Sequence, residues 1–160
     1  MSNDDRGASD SPQRREEQLR LARNMTALDS GLNGIVHRHA RHVALRYEDP
    51  ETFGAGHFVL YPIAHSLARF AIEEQYSGTD WSDADRLPTS WAWRAEVLHR
   101  HPDGGYRWTT AAEGQTPSDK VPALLARARA WTRRVAAADF RREPAERAAR
   151  RHRPPHDLRP

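Results

Sequence analysis

Three patterns in this 160-residue sequence predict an α+β fold. Apolar residues recur at three- and four-residue steps from Leu21 to Val43, the period of one helix face. Between Trp91 and Ala112 they alternate every second residue on both sides of a Pro-Asp-Gly-Gly turn, the pattern of an antiparallel hairpin. From Val121 to Ala138 the helical period returns. Two strands alone are marginal in water, so the hairpin is expected to pack on the helices that flank it in sequence. The result is a single α+β domain over residues 11–140. Residues 1–10 are polar and aperiodic and are expected to form a disordered tail. Residues 141–160 read as a basic tail rich in proline and arginine.

Taken in order, the first helix begins at Ser11-Pro12, a capping residue followed by proline at the first helical position. Its stripe is Leu21, Met25, Leu28, Leu32, Ile35, Val36, His39 and Val43. The stripe keeps phase across Gly31 and Gly34, which predicts one long helix bent there, or two nearly collinear ones. Glycine costs about 1 kcal/mol against alanine inside a helix. Two so close together mark either a weak point or the close approach of a neighbouring backbone. Asp49-Pro50 ends this helix. Ile63, Leu67, Phe70, Ala71 and Glu74 fall on one helical face and predict a second helix from Pro62 to Gln75. Phe58 to Tyr61 reads equally as a short strand or as an earlier helical turn kinked at Pro62.

A polar loop from Asp80 to Pro88, anchored by Trp81, leads into the hairpin. There Trp91, Trp93, Ala95 and Val97 alternate with Ala92, Arg94 and Glu96, and Tyr106, Trp108 and Thr110 repeat the alternation on return. The expected loop is Pro102 to Gly105 with His101 opposite Tyr106. That register places Trp91, Trp93 and Val97 on the same face as Tyr106 and Trp108. Gly114 to Asp119 reads as a linker in which Ser118 caps the last helix. That helix is amphipathic, with Val121, Leu124, Leu125, Ala128, Trp131, Val135 and Ala138 on one side and Arg127, Arg129, Arg133 and Arg134 on the other.

Composition narrows the chemistry. The sequence has no cysteine, which removes disulfides, thiolate nucleophiles and cysteine-ligated zinc. No apolar run has the length of a membrane span, and the first residues lack the apolar core of a secretory signal, so a cytoplasmic location is expected. The net charge of +3 is unevenly spread. Residues 121–160 carry 11 arginines against Asp139, Glu143, Glu146 and Asp157, whereas residues 1–120 carry 14 basic and 18 acidic groups. A basic segment on a mildly acidic body suits an acidic partner at the C-terminal end.

Catalytic motifs are not recognisable. His37, His39 and His42 are close in sequence, and on a helix His39 and His42 would be neighbours. With a carboxylate from Glu48, Asp49 or Glu51 they are the candidate start of a metal site. The spacing is not HExxH, however, and His39 sits at the centre of the apolar stripe, where a hydrogen-bonded core histidine is the commoner explanation. Glu96 and His99 are three apart on a strand and therefore on opposite faces. Ser66, His65 and Asp80 lack a nucleophile elbow, and Gly54-Ala55-Gly56 lacks phosphate-loop spacing. The loop from Asp80 to Asp85 offers three carboxylates beside Trp81.

The series Arg94-x-Glu96, Arg100-x-x-Asp103-Gly104-x-Tyr106-Arg107-Trp108 resembles the late hairpin of PAS sensory domains. The likeness is confined to the hairpin, and it implies no ligand-binding residue here. The functional expectation is a non-catalytic binding or regulatory protein without a cofactor. It would engage nucleic acid or an acidic protein through Arg127, Arg129, Arg133, Arg134, Arg141 and Arg142. The alternatives are a small metal-dependent enzyme or metal-binding protein using the histidine-rich helix, and a structural or assembly subunit.

Overall fold

The computed structural model describes residues 11–49, 55–77 and 87–151, with side chains as far as residue 139. Two helices and a five-stranded antiparallel sheet make a mixed α+β fold. The elements are α1 (Pro12–Arg38), β1 (Val43–Glu48), β2 (His57–Pro62), β3 (Ala68–Gln75), β4 (Ser90–Arg100), β5 (Tyr106–Pro117), a 3-10 turn (Ser118–Lys120) and α2 (Val121–Arg151). The strands pair in sequence order, β1-β2-β3-β4-β5, so every connection within the sheet joins neighbours. The loop from Asp80 to Asp85, with Trp81, lies outside the described residues, as do residues 1–10 and 152–160.

Helix α1 starts where its sequence directs. Ser11 Oγ accepts the Arg14 N–H at 3.2 Å, and Pro12 occupies the first turn, where its missing N–H costs nothing. Its end differs from the expectation that Asp49-Pro50 closes it. The helix stops at Arg38, and a turn follows in which the His42 N–H reaches the His39 carbonyl at 2.8 Å. Val43 is fully buried as the first residue of β1. It fell in phase with the helical stripe because it faces the same core from a different element.

The predicted second helix from Pro62 to Gln75 is absent, and two strands occupy this part of the chain. Phe70, Ile72 and Glu74 alternate onto the buried face of β3, while Phe58, Val59 and Leu60 are buried consecutively in β2. Short apolar runs buried on both faces carry no period that separates strand from helix. Pro62 lies beyond the last β2–β3 rung, Leu60 opposite Phe70, so its missing N–H interrupts no ladder on that side.

The hairpin is longer than expected and differs in register. Arg100, not His101, stands opposite Tyr106. The turn is closed by His101 N–H to Gly105 carbonyl at 2.6 Å and Gly104 N–H to His101 carbonyl at 2.9 Å, with Gly104 at φ 88°. Only glycine accepts that backbone without strain. The one-residue shift reverses the face of each side chain on the first half of β5. Trp108 pairs with Leu98 on one side of the sheet, and Trp93 points to the other. The ladder then shifts between Ala95 and Glu96: Thr110 is opposite Glu96 and Ala112 opposite Ala95. Ala111 is therefore the extra residue of a bulge.

Past that bulge Gly114 and Thr116 return to the face of Trp93 and Trp91. Gly114 is no linker residue. A Cβ there would lie 2.8 Å from the Trp93 ring, so the indole lies flat on β5 only because this residue is glycine. Ser118 does not cap α2. Its hydroxyl accepts Asn24 Nδ2 at 3.2 Å, and its N–H reaches the Thr89 carbonyl at 3.0 Å.

Both helices cover one face of the sheet. Asn24 meets Ser118, Gly31 meets Leu125 and His42 meets Asp139, so residue numbers rise together and the helices run parallel. A Cβ on Gly31 would lie 2.3 Å from Leu125 Cδ1. That glycine admits the neighbouring helix, whereas nothing lies within 4 Å of the Cβ position on Gly34. Leu28, Leu32 and Ile35 of α1 and Leu124, Leu125, Ala128, Trp131 and Val135 of α2 form a common core with the sheet. Phe70 sits at its centre, with ring centroids 5.9 Å from Trp93 and 6.1 Å from Trp131.

Candidate polyanion-binding surface

Helix α2 presents its arginines in two rows, set by the helical period. Arg129 and Arg133 are one turn apart on one side, and Arg127 and Arg134 are two turns apart on another. All four are exposed. The Arg127 guanidinium lies over the Trp93 ring, 4.5 Å from its centroid, which fixes the second row beside the outer edge of the core. Arg129, Arg133 and Arg134 have no carboxylate partner among the described residues. The side chains of Arg141 and Arg142 lie outside the described residues, although α2 continues through both to Arg151.

Only one carboxylate falls between Val121 and Asp139, and it is turned away from the arginines. Asp139 is 9% exposed, and its Oδ2 meets His42 Nδ1 at 3.0 Å. The pair fastens the turn after α1 onto α2. The sequence counted Asp139 among the acids that offset the tail's positive charge. In the fold it is turned to His42, and it forms no ion pair with Arg129, Arg133 or Arg134 among the described residues.

His42 thus has an interhelical partner, while His37 is exposed on α1 and His39 caps its end. No group of three histidine, aspartate or glutamate side chains converges with metal-binding geometry among the described residues. His57 and His65 stand apart from this group. His57 Nε2 meets Glu73 Oε2 at 3.1 Å, and His65 Nδ1 accepts the Leu67 N–H at 3.1 Å.

Two other polar clusters were not legible as units in the sequence. On the covered face, Glu74 is 2% exposed and accepts the hydroxyls of Tyr47, at 3.0 Å, and Tyr76. Gly56 packs so closely on this carboxylate that a Cβ would overlap it. Partial burial, and then the charge and hydrogen bond of Glu74, raise the Tyr47 hydroxyl well above its ordinary pKa, although the residue as a whole is exposed. On the open face, cross-strand neighbours pair His57 with Glu73 and Arg69 with Glu96. Arg94 bridges the two carboxylates at 3.6 and 3.7 Å. Arg69 also lies 4.1 Å from the centre of the Trp108 ring. The only sequence signal for this network is the alternation of Arg94 and Glu96 between core residues, which specifies a face but not a partner.

Among the described residues no helix is long and apolar enough to cross a membrane. Comparison with family models, with characterised proteins and with solved structures finds no match for this chain.

Proposed function

We propose that this chain is a non-catalytic binding protein that engages an acidic partner, nucleic acid or an acidic protein surface, through the arginine face of α2. One observation carries the reading: Arg127, Arg129, Arg133 and Arg134 are exposed while Asp139, the one carboxylate of that stretch, is buried against His42. Charges on a helix that have no carboxylate partner among the described residues are available to an incoming polyanion, and each contact with a phosphate releases a condensed counterion. Arg141 and Arg142 extend the same run of sequence and belong to the proposed surface.

The test is binding of random-sequence duplex DNA and of RNA, followed by fluorescence anisotropy from low to moderate salt. The affinity should fall steeply, with log K losing about 0.9 per log unit of salt for each phosphate contacted on the duplex. Charge reversal of Arg129, Arg133 and Arg134 together should abolish binding and leave the thermal unfolding transition in place, because these side chains lie off the buried stripe. Absence of binding by the intact chain to both nucleic acids and to polyglutamate at low salt would refute the reading.

A further inference from the structure

We infer that the binding surface spans both helices, with Arg38 and Arg41 beside the α2 arginines, and that its partner is the phosphate backbone of nucleic acid. The inference rests on the reading above and specifies its partner. It begins from the contact of Gly31 with Leu125, which sets the two parallel helices at a common level. Arg38 follows Gly31 by two turns and so stands on the same side of α1, about 10 Å further along at 1.5 Å per residue. Arg129 and Arg133 follow Leu125 by one and two turns, about 6 and 12 Å along the neighbouring helix. Arg38 therefore stands between them in height across the seam. The His42–Asp139 contact holds the next turn, with Arg41, against α2 just beyond.

The four guanidiniums are exposed, and none has a carboxylate partner among the described residues. Asp29, the one carboxylate in the second half of α1, lines a depression with Met25, Thr26, Tyr47 and Phe58, on the side of α1 away from α2. Gly34, with open space above it, leaves the seam unobstructed next to Arg38.

The choice of nucleic acid over acidic protein follows from what the surface lacks. Protein interfaces are anchored by buried aromatic or aliphatic side chains at their centre. The exposed large apolar residues are Leu19, Tyr47, Tyr61, Ile63, Leu67, Tyr106 and Trp108. Among the described residues none belongs to α2 or to the second half of α1; Ile63, whose N–H reaches the His42 carbonyl at 2.9 Å, stands at the edge of the surface beside Arg41. A surface of guanidiniums whose one neighbouring exposed apolar residue among those described, Ile63, lies at its edge and not at its centre matches a regular row of phosphates, where affinity comes from charge neutralisation and position rather than apolar burial.

The experiment uses the full chain with a 20-base-pair random-sequence duplex, and polyglutamate as the acidic-protein probe. The double variant Arg38→Gln/Arg41→Gln should bind the duplex at least tenfold more weakly at low salt. Its salt slope should be shallower by about 1.8, the loss of two phosphate contacts at about 0.9 each. Arg100→Gln, at the exposed far end of β4, should change neither quantity. Wild-type affinity and slope in the double variant would overturn the two-helix surface while leaving the α2 reading intact. Polyglutamate binding as tight as the duplex would overturn the choice of nucleic acid. Failure of the wild type to bind either probe would remove both readings together.

Discussion

The two faces of the sheet are buried by different means. On the covered face, Phe70, Ile72, Trp91 and Trp93 meet the apolar sides of two helices, and burial is a matter of shape and packing. On the open face, the same strands carry His57, Arg69, Glu73, Arg94 and Glu96, with no third layer of described residues above them. Even so, Val59 is only 5% exposed, Ala71 7% and Glu96 7%. The register explains this: Arg46, Val59, Ala71 and Arg94 form one cross-strand row, so a small apolar centre is flanked by two long basic side chains. Such side chains cover apolar surface with their stems and keep their charged ends in water. A five-stranded sheet can therefore leave one face to solvent with the apolar centre of that face covered, while Tyr61 and Trp108 stay exposed toward its ends.

If this contrast is correct, the largest effects of substitution belong to the covered face. Leu124 is fully buried and Trp131 is 6% exposed. Leu124→Ala should cost about 2–5 kcal/mol and Trp131→Ala about 3–5 kcal/mol, read from denaturant or thermal unfolding. Near-wild-type stability for both would mean that α2 does not close this core.

The open face should respond less, and through charge. Glu96 accepts from Arg69 Nε and lies 3.7 Å from Arg94 Nε. Both arginines are about a third or more exposed and regain water when the carboxylate is neutralised. Glu96→Gln should therefore cost at most about 1.5–3 kcal/mol, the range for a hydrogen bond to a charged group. It should leave the near-ultraviolet signal of Trp91 and Trp93 unchanged, since their face is not touched. A loss as large as that of Leu124→Ala would show that the two faces are not energetically distinct.

The same contrast explains what was legible in the sequence. Patterns generated by one boundary, apolar inside and polar outside, were readable: α1 from its cap, the alternation of β4, and the buried positions of α2 from Leu124 to Val135. The strands β2 and β3 were not, because both of their faces are partly buried and Phe58-Val59-Leu60 and Phe70-Ala71-Ile72 alternate with nothing polar. The register of β5 was hidden for another reason. The five-residue turn and the bulge at Ala111 each shift the phase by one, and neither leaves a mark in the alternation of Tyr106, Trp108 and Thr110. The arginines of α2 were visible as a set. The inward turn of Asp139 and the position of Arg38 across the seam depend on how two distant helices align, which no local spacing encodes.

The smallest prediction tests whether the covered face is as closely packed between its helices as it is beneath them. Gly31 and Gly34 are three residues apart on α1 and equivalent in local preference, each about 1 kcal/mol worse than alanine in a helix. They differ only in surroundings. At Gly31 an added methyl would stand 2.3 and 2.7 Å from the two terminal methyls of Leu125, which is itself 8% exposed and held in the core. At Gly34 it would meet nothing within 4 Å. Gly34→Ala should therefore raise stability by about 0.5–1 kcal/mol, the propensity gain alone. In Gly31→Ala the same gain is set against about 1–3 kcal/mol of overpacking, so the net effect should be neutral to destabilising by about 2 kcal/mol. Each variant is to be measured by equilibrium unfolding, and the sign of the difference between them decides the matter. Equal stabilisation by both would mean that Leu125 moves aside without cost and that the helix seam is loosely packed. A Gly31→Ala that is destabilising in the wild type but stabilising in a Leu125→Ala background, read as a double-mutant cycle, would place the constraint at that one contact, where α1 and α2 are brought to a common level.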